Sequence, residues 1–190
     1  MISHIGIDYG SKLAGTTCIC WSVDNQLMIK SSKKKQDADT IIVDTITQLN
    51  PQIVCIDCPM GLPSAYYGEV NDFFYRECDK QLKAMSPMFL GGLTARGMKL
   101  KHSFQHLEWL EVYPKALVES LALIKHYQKK DLTKIKSFTR ELISLFSLNI
   151  SVSIDSWHAV DSILAWISGT RFISNEHTTI GRKGEGLIIV

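Results

Sequence analysis

The sequence of 190 residues has no long apolar run, little proline and no excess of charge of either sign. No stretch approaches the roughly 20 apolar residues that a membrane-spanning helix needs. The N-terminal residues lack a basic region followed by an apolar core, so we expect no signal peptide. The net charge of +2 does not suggest a basic coat for nucleic acid, although a local basic groove is compatible with it. We therefore expect a cytoplasmic protein with no membrane partner.

Cysteine is scarce and odd in number, with five residues, which favours reduced thiols over a disulfide framework. Cys55 and Cys58 have the Cys-x-x-Cys spacing of half a zinc site or of a redox pair. No second such pair follows, and Cys55 lies inside an apolar run of strand length. We interpret the cysteines as buried, inert thiols.

The first 57 residues alternate between strand and helix patterns. Runs rich in β-formers predict strands over 5–8, 16–23 and 26–30, which form an antiparallel meander. Apolar residues at helical spacing predict a helix over 38–49, and a solidly apolar run predicts a buried strand over 53–57. This order indicates an α/β or α+β domain.

The remaining sequence predicts more helices than strands, with no internal repeat and no interdomain linker, so we expect one domain over 1–190. Asp155 is interpreted as part of the N-cap of a helix over 157–168 that Gly169 closes. The other predicted elements are helices over 71–85, 116–127 and 132–146, loops around 86–87 and 91–92, and strands over 110–113 and 187–190.

Acidic residues stand at the carboxyl ends of predicted strands. Asp8 follows the first strand, Asp57 ends the fourth, and Glu111 lies in the next. A carboxylate there is costly unless it is paired, hydrogen-bonded or bound to a cation. The crevice beyond the strand ends is also where open sheets bind ligands. Asp161 lies on the last predicted helix, which its apolar neighbours predict to be largely covered.

Each of these acids also has a structural explanation, as a turn former or a carboxylate on a helix surface. Four acids in one crevice would instead make a magnesium or manganese site, because hard divalent ions prefer carboxylate oxygens. Two such ions can stabilise the attacking and leaving oxygens of phosphodiester cleavage. Because the acids alone would repel a phosphate chain, nuclease activity here predicts metal dependence.

Six motifs, in this order, resemble those of a domain-of-unknown-function family described as predicted nucleases of RNase H-like fold. They extend over nearly the whole chain: Gly6 to Lys12, Ile56 to Pro63, Arg76 to Asp79, Glu111 to Pro114, His158 to Ser162 and Gly184 to Ile188. The resemblance implies a ribonuclease H-like α/β fold. Its mixed five-stranded sheet has three antiparallel strands and then parallel strands, with helices on both faces.

The resemblance also implies roles for the acids. Asp8 matches the acid that bridges two metal ions, and Asp57 and Asp161 match the acids at the end of the fourth strand and on the C-terminal helix. Glu111 belongs to the family's own Glu-x-x-Pro motif and is expected to be a ligand or to orient water. The predicted catalytic and Mg²⁺- or Mn²⁺-binding residues are Asp8, Asp57, Glu111 and Asp161.

Four basic residues are expected to contact a nucleic-acid substrate, either DNA or RNA. Arg96 lies in a segment predicted to be a loop, and surface salt bridges are the alternative role for Arg76. The lysines of 33–35 and 125–136 either contact a nucleic-acid backbone or belong to solvated faces. The predicted substrate-binding residues are Lys12, Arg76, Arg96 and His158.

Other functions stay open at this point. Residues 7–16 also resemble the phosphate-1 hairpin of the actin and sugar-kinase superfamily, in which Gly10 and the hairpin amides would face nucleotide phosphates. Those proteins usually need two such domains. The opening strand also looks like that of a Holliday-junction resolvase, and a non-catalytic binding protein of the same fold is a further alternative. The oligomeric state is open, a homodimer included.

Overall fold

The computed structural model describes residues 2–69 and 72–190, and these form an eight-stranded mixed sheet with helices around it. The strands are β1 His4–Asp8, β2 Cys18–Val23, β3 Gln26–Ser31, β4 Ile53–Asp57, β5 Glu108–Val112, β6 Asn149–Ile150, β7 Thr179–Arg182 and β8 Gly186–Ile189. Their order across the sheet is β6-β3-β2-β1-β4-β5-β8-β7.

Helices occupy much of the chain between the strands. They are α1 Ala38–Leu49, α2 Glu77–Leu82, α3 Pro87–Leu90, α4 Gly92–Ser103, α5 Pro114–Ser120, α6 Ile135–Phe146 and α7 Trp157–Ile173. Single turns of 3₁₀ helix cover Ser64–Tyr67 and Leu132–Lys134.

The central strands have the predicted pairing. β1, β2 and β3 form the antiparallel meander, β4 pairs parallel with β1, and β5 pairs parallel with β4. The α/β prediction with a mixed sheet is therefore confirmed. The expected number of five strands is wrong, because β6, β7 and β8 extend the sheet. β6 has two residues and β7 is half exposed and polar, so neither carries a strong strand pattern.

Helices cover both faces of the central strands. On one face, apolar residues of α1 and α4 pack against Ile5, Ile7 and Ile56. On the other face, α5, α6 and α7 pack against Cys18 and Cys20. All five cysteines are buried and free, as predicted.

The backbones of α7 and β1 approach each other at Gly6. A methyl group on Gly6 would overlap the Trp166 backbone nitrogen and the Ser162 carbonyl oxygen. Gly169 makes a similar approach, where an added methyl would lie 2.5 Å from the Cys55 Sγ. The prediction that Gly169 closes the helix is wrong, because α7 continues to Ile173.

Several helix boundaries differ from those predicted. In place of a helix over 71–85, α2 is short, because the Asp72 side chain accepts hydrogen bonds from the Phe74 and Tyr75 amides and forms a turn. Asn71, where that prediction begins, lies outside the described residues. Ala122 has a φ of 58° after the end of α5, so 121–131 is not helical.

Two local assignments near the predicted site also change. Arg96 lies in α4 and not in a loop. Only Gly91, with a φ of 42°, interrupts the helical conformation between α3 and α4. The N-cap of α7 is Ser156, whose hydroxyl accepts a 3.1 Å hydrogen bond from the Ala159 amide, and not Asp155.

We expect Gly6→Ala to lower the free energy of unfolding by about 1–3 kcal/mol, the usual cost of overpacking a core. The added methyl has only backbone atoms of α7 to displace. Gly92→Ala is the matched control, because nothing lies within 4 Å of its added methyl. Urea denaturation followed by tryptophan fluorescence compares the two, and equal stabilities would contradict the close approach.

Candidate functional site

Asp8 and Asp57 end two adjacent parallel strands and are paired in register. Adjacent strands lie about 4.8 Å apart, so the two carboxylates are neighbours. Side chains alternate along a strand, and Gly6 faces α7. Asp8, two residues later, and Asp57, opposite it, therefore face α7 as well.

Helix α7 brings Asp161 to the same place. Asp161 is fully buried, and each of its oxygens has a partner: the Tyr127 hydroxyl donates to Oδ1, and the Lys129 ammonium forms an ion pair with Oδ2. Tyr127 and Lys129 both belong to the non-helical segment 121–131. This segment lies against the acids, and we name Asp8, Asp57 and Asp161 the acid cluster.

His158, one turn before Asp161 on α7, contacts the acid cluster through Asp8. Its Nδ1 lies 2.8 Å from Asp8 Oδ2, and the ring is 45% exposed. The hydrogen bond with Asp8 raises the pKa of His158 above its ordinary value, against the opposing effect of burial. The imidazole is thus biased toward its charged form beside the carboxylate.

Asp57 has no hydrogen-bond donor among the described residues, in contrast to Asp8 and Asp161. Burial, followed by the charges of Asp8 and Asp161, raises the pKa of Asp57 well above its ordinary value. Burial and Asp8 likewise raise the pKa of Asp161 to about 6, although Lys129 and Tyr127 oppose the shift. The acid cluster holds more negative charge than its partners compensate, so it favours a cation or a proton.

The donor chemistry of the acid cluster suits a hard divalent cation, because it offers carboxylate oxygens and a carboxylate without a donor. Within residues 2–69 and 72–190, however, no group of three or more His, Cys, Asp or Glu side chains is arranged to hold a metal ion. Lys129 and Tyr127 engage the Asp161 oxygens instead.

Glu111 lies apart from the acid cluster. It pairs in register with Ile56, so the strand pleat places it on the opposite face from Asp57. Its Oε2 accepts from the Met60 amide at 3.0 Å, and the Arg76 guanidinium donates to both of its oxygens at 2.6 and 2.8 Å. A cavity of about 110 Å³ at the strand ends is lined by Asp57 and Glu111 among others.

Arg76 is fully buried and holds two carboxylates together. Besides Glu111, its side chain donates to Asp79 at 2.7 and 3.0 Å. A methyl group on Gly186 would lie 2.7 Å from the guanidinium, so the last strand packs directly on Arg76. The structure thus places Arg76 inside a buried ion-pair network, out of contact with solvent.

Lys12 and Arg96 are also paired with carboxylates. The Lys12 ammonium lies 3.1 Å from Asp37, and the Arg96 guanidinium donates to both oxygens of Asp39 at 2.6 to 3.1 Å. Arg96 also donates to the Gly10 carbonyl oxygen at 3.1 Å. Both cations lie beside the loop after β1, and neither contacts the acid cluster.

Polar groups of the loop after β1 form hydrogen bonds with one another. The Gly10 amide donates a 3.0 Å hydrogen bond to the Thr17 hydroxyl. This amide, which the kinase-like interpretation would direct at nucleotide phosphates, is therefore engaged within the loop.

Tyr127 and Lys129 are the site residues that the sequence did not single out. They lie in the lysine-rich stretch around 125–136, where the pattern fits a solvated face as well as a nucleic-acid contact. Only the tertiary contact with Asp161 distinguishes Lys129 from the lysines around it.

Comparisons of the chain with protein-family models, with curated proteins and with solved structures give no significant match. Among the residues described, no helix combines the length and the apolar character needed to cross a membrane.

We expect Arg76→Met to lower the free energy of unfolding by about 3–5 kcal/mol, because it leaves the buried Glu111 and Asp79 carboxylates without their cation. The control is Lys80→Met, which removes an exposed pair with Asp72 at 2.9 Å and should change stability by no more than about 1 kcal/mol. Urea denaturation measures both variants. An Arg76→Met protein as stable as the wild type would mean that the network of Arg76, Asp79 and Glu111 does not contribute to the free energy of unfolding.

Glu185 supplies a pH-dependent contribution to stability. It is buried and accepts hydrogen bonds from the Ser64 and Glu77 amides at 3.0 and 2.9 Å. Burial alone would raise the pKa of Glu185, but these hydrogen bonds outweigh burial and hold it below its ordinary value of 4.5. The carboxylate therefore stabilises the fold fully above pH 4.5, and this stabilisation is lost as pH falls through the lowered pKa.

We expect Glu185→Gln to cost about 1–3 kcal/mol at pH 7, the range for an unsatisfied buried hydrogen-bonding group. The difference from the wild type should shrink as pH falls below 4.5. Urea denaturation over a pH series measures this. Glu119→Gln, which alters an exposed pair with Lys115, is the control and should show no such trend. A difference independent of pH would contradict the assigned role of the carboxylate.

Proposed function

We propose that this chain is a metal-dependent nuclease of RNase H-like fold that hydrolyses phosphodiester bonds in nucleic acid. Mg²⁺ or Mn²⁺ would be held at the acid cluster by Asp8 and Asp57, beside Asp161. The observation that carries the proposal is the Asp57 carboxylate, which stands in register beside Asp8, near Asp161, without a hydrogen-bond donor among the described residues. A partly buried carboxylate beside two others favours a counter-charge, because the like charges repel one another.

The sheet supports the fold assignment. Its central strands β3, β2, β1, β4 and β5 have three antiparallel strands followed by parallel ones. The family resemblance implies this arrangement, with acids on the first strand, the fourth strand and the last helix. Asp8, Asp57 and Asp161 occupy those three elements.

When bound, a divalent cation would lower the pKa of a coordinated water and neutralise charge on the phosphodiester. The chain's own residues supply the rest. Asp8 and Asp57 present oxygens from two rigid strands, so their spacing is set by backbone pairing. His158 Nε2 makes no hydrogen bond with the described residues, and the half-exposed ring can donate from it to a phosphate oxygen.

Glu111 as a metal ligand stays a prediction, because it would require Arg76 and the Met60 amide to release its oxygens. In the structure Glu111 instead ties β5 to the loop that follows β4. This contact fixes the start of the loop that follows Asp57.

We expect Asp57→Asn to reduce Mn²⁺-dependent cleavage of labelled DNA and RNA by at least about 100-fold, the scale for removing one electrostatic stabiliser. The same variant should unfold at a higher temperature than the wild type at pH 7, because it removes a carboxylate that Asp8 and Asp161 repel and that has no donor among the described residues. Asp155→Asn, on an exposed residue before α7, is the control and should change neither property.

Unchanged cleavage by Asp57→Asn would contradict the proposed site. ATP-dependent stabilisation of the wild type without nucleic-acid binding would favour the kinase-like alternative instead. Nucleic-acid binding without Mn²⁺ binding in calorimetry would favour a non-catalytic binding protein.

A further inference from the structure

Lys129 belongs to the non-helical segment 121–131 and places a positive charge at the acid cluster. Its ammonium pairs with Asp161 Oδ2, while its side chain is 48% exposed and Asp161 is completely buried. The ammonium also feels the charges of Asp8 and Asp57, which together with Asp161 hold the pKa of Lys129 above its ordinary value despite its burial. The lysine thus lies where the buried acids meet solvent.

The segment that carries Lys129 is anchored on α6 and α7. The Tyr127 ring packs edge-on against Trp157, with centroids 5.3 Å apart, and against Phe138 at 5.5 Å. The Tyr127 hydroxyl donates to Asp161, and the Trp157 indole donates to the Asp131 carbonyl oxygen at 3.2 Å. Contacts on both sides of Lys129 therefore hold its backbone near Asp161.

The oxygens of the acid cluster divide into two groups. The Tyr127 hydroxyl and the Lys129 ammonium occupy both oxygens of Asp161. His158 occupies only Oδ2 of Asp8, so Oδ1 and both Asp57 oxygens are without donors among the described residues.

We propose that the Lys129 ammonium is the resident cation at Asp161, so that the acid cluster takes a single divalent cation on Asp8 and Asp57 instead of two. This inference rests on the proposed metal-dependent function. A cation entering at Asp161 has to displace both the Lys129 ammonium and the Tyr127 hydroxyl. Lys129 is therefore a positioning residue that sets how many ions the site holds.

The test is calorimetric titration of Mn²⁺ into the protein at neutral pH, without nucleic acid. We expect the wild type to bind one Mn²⁺ per chain. Lys129→Met should bind a second Mn²⁺, or bind one at least about tenfold more tightly, because a nearby like charge has been removed. Lys130→Met is the matched control, since Lys130 is the neighbouring exposed lysine, and should bind like the wild type.

Thermal unfolding gives a readout that does not depend on catalysis. Without metal, Lys129→Met should melt at a lower temperature than Lys130→Met, because Asp161 loses its ion pair. Millimolar Mn²⁺ should then raise its melting temperature more than that of the wild type. Lys129→Arg keeps the positive charge and should retain the wild-type stoichiometry, which covers the case in which Lys129→Met does not fold.

Two results overturn the inference and are distinguishable. Two Mn²⁺ ions in the wild type, unchanged in Lys129→Met, would remove the role of Lys129 and leave the proposed nuclease intact. No Mn²⁺ binding in any folded variant would remove the proposed metal site itself, and the inference with it.

Discussion

The close approach of α7 to β1 is the constraint on which the candidate site depends. Gly6 has no side chain, so the backbone of α7 contacts the strand directly at Ser162 and Trp166. A helix at this distance brings the residues before the contact to the carboxyl end of the strand, while Gly169 and Thr170, after it, lie beside His4. Asp161 and His158 reach Asp8 for that reason, and a larger side chain at Gly6 would separate the acids.

The same sheet end carries two buried charge clusters with opposite character. The guanidinium of Arg76 satisfies Asp79 and Glu111 with short, multiple hydrogen bonds, which makes that network a structural element. The acid cluster is incompletely satisfied, with Asp57 lacking a donor among the described residues. The Arg76 network needs no further partner, whereas the unpaired charge of the acid cluster favours a cation or a proton.

The sequence predicts the parts of the site that follow from local pattern. Apolar runs identify β1 and β4, so Asp8 and Asp57 are predicted at strand ends. The face on which Glu111 lies depends on the register between β4 and β5, which no local pattern contains. The sequence singles out Arg76 but not its burial, and it does not distinguish Lys129 from the lysines around it. Both depend on partners distant in the chain, Glu111 and Asp161.

The contact between His158 and Asp8 joins residues 150 positions apart. Contacts of such long range form late, because the entropy of closing a long loop is lost before the contact can compensate for it. The acid cluster therefore joins the first strand to α7, and it is complete only when β1, β4 and α7 have packed together.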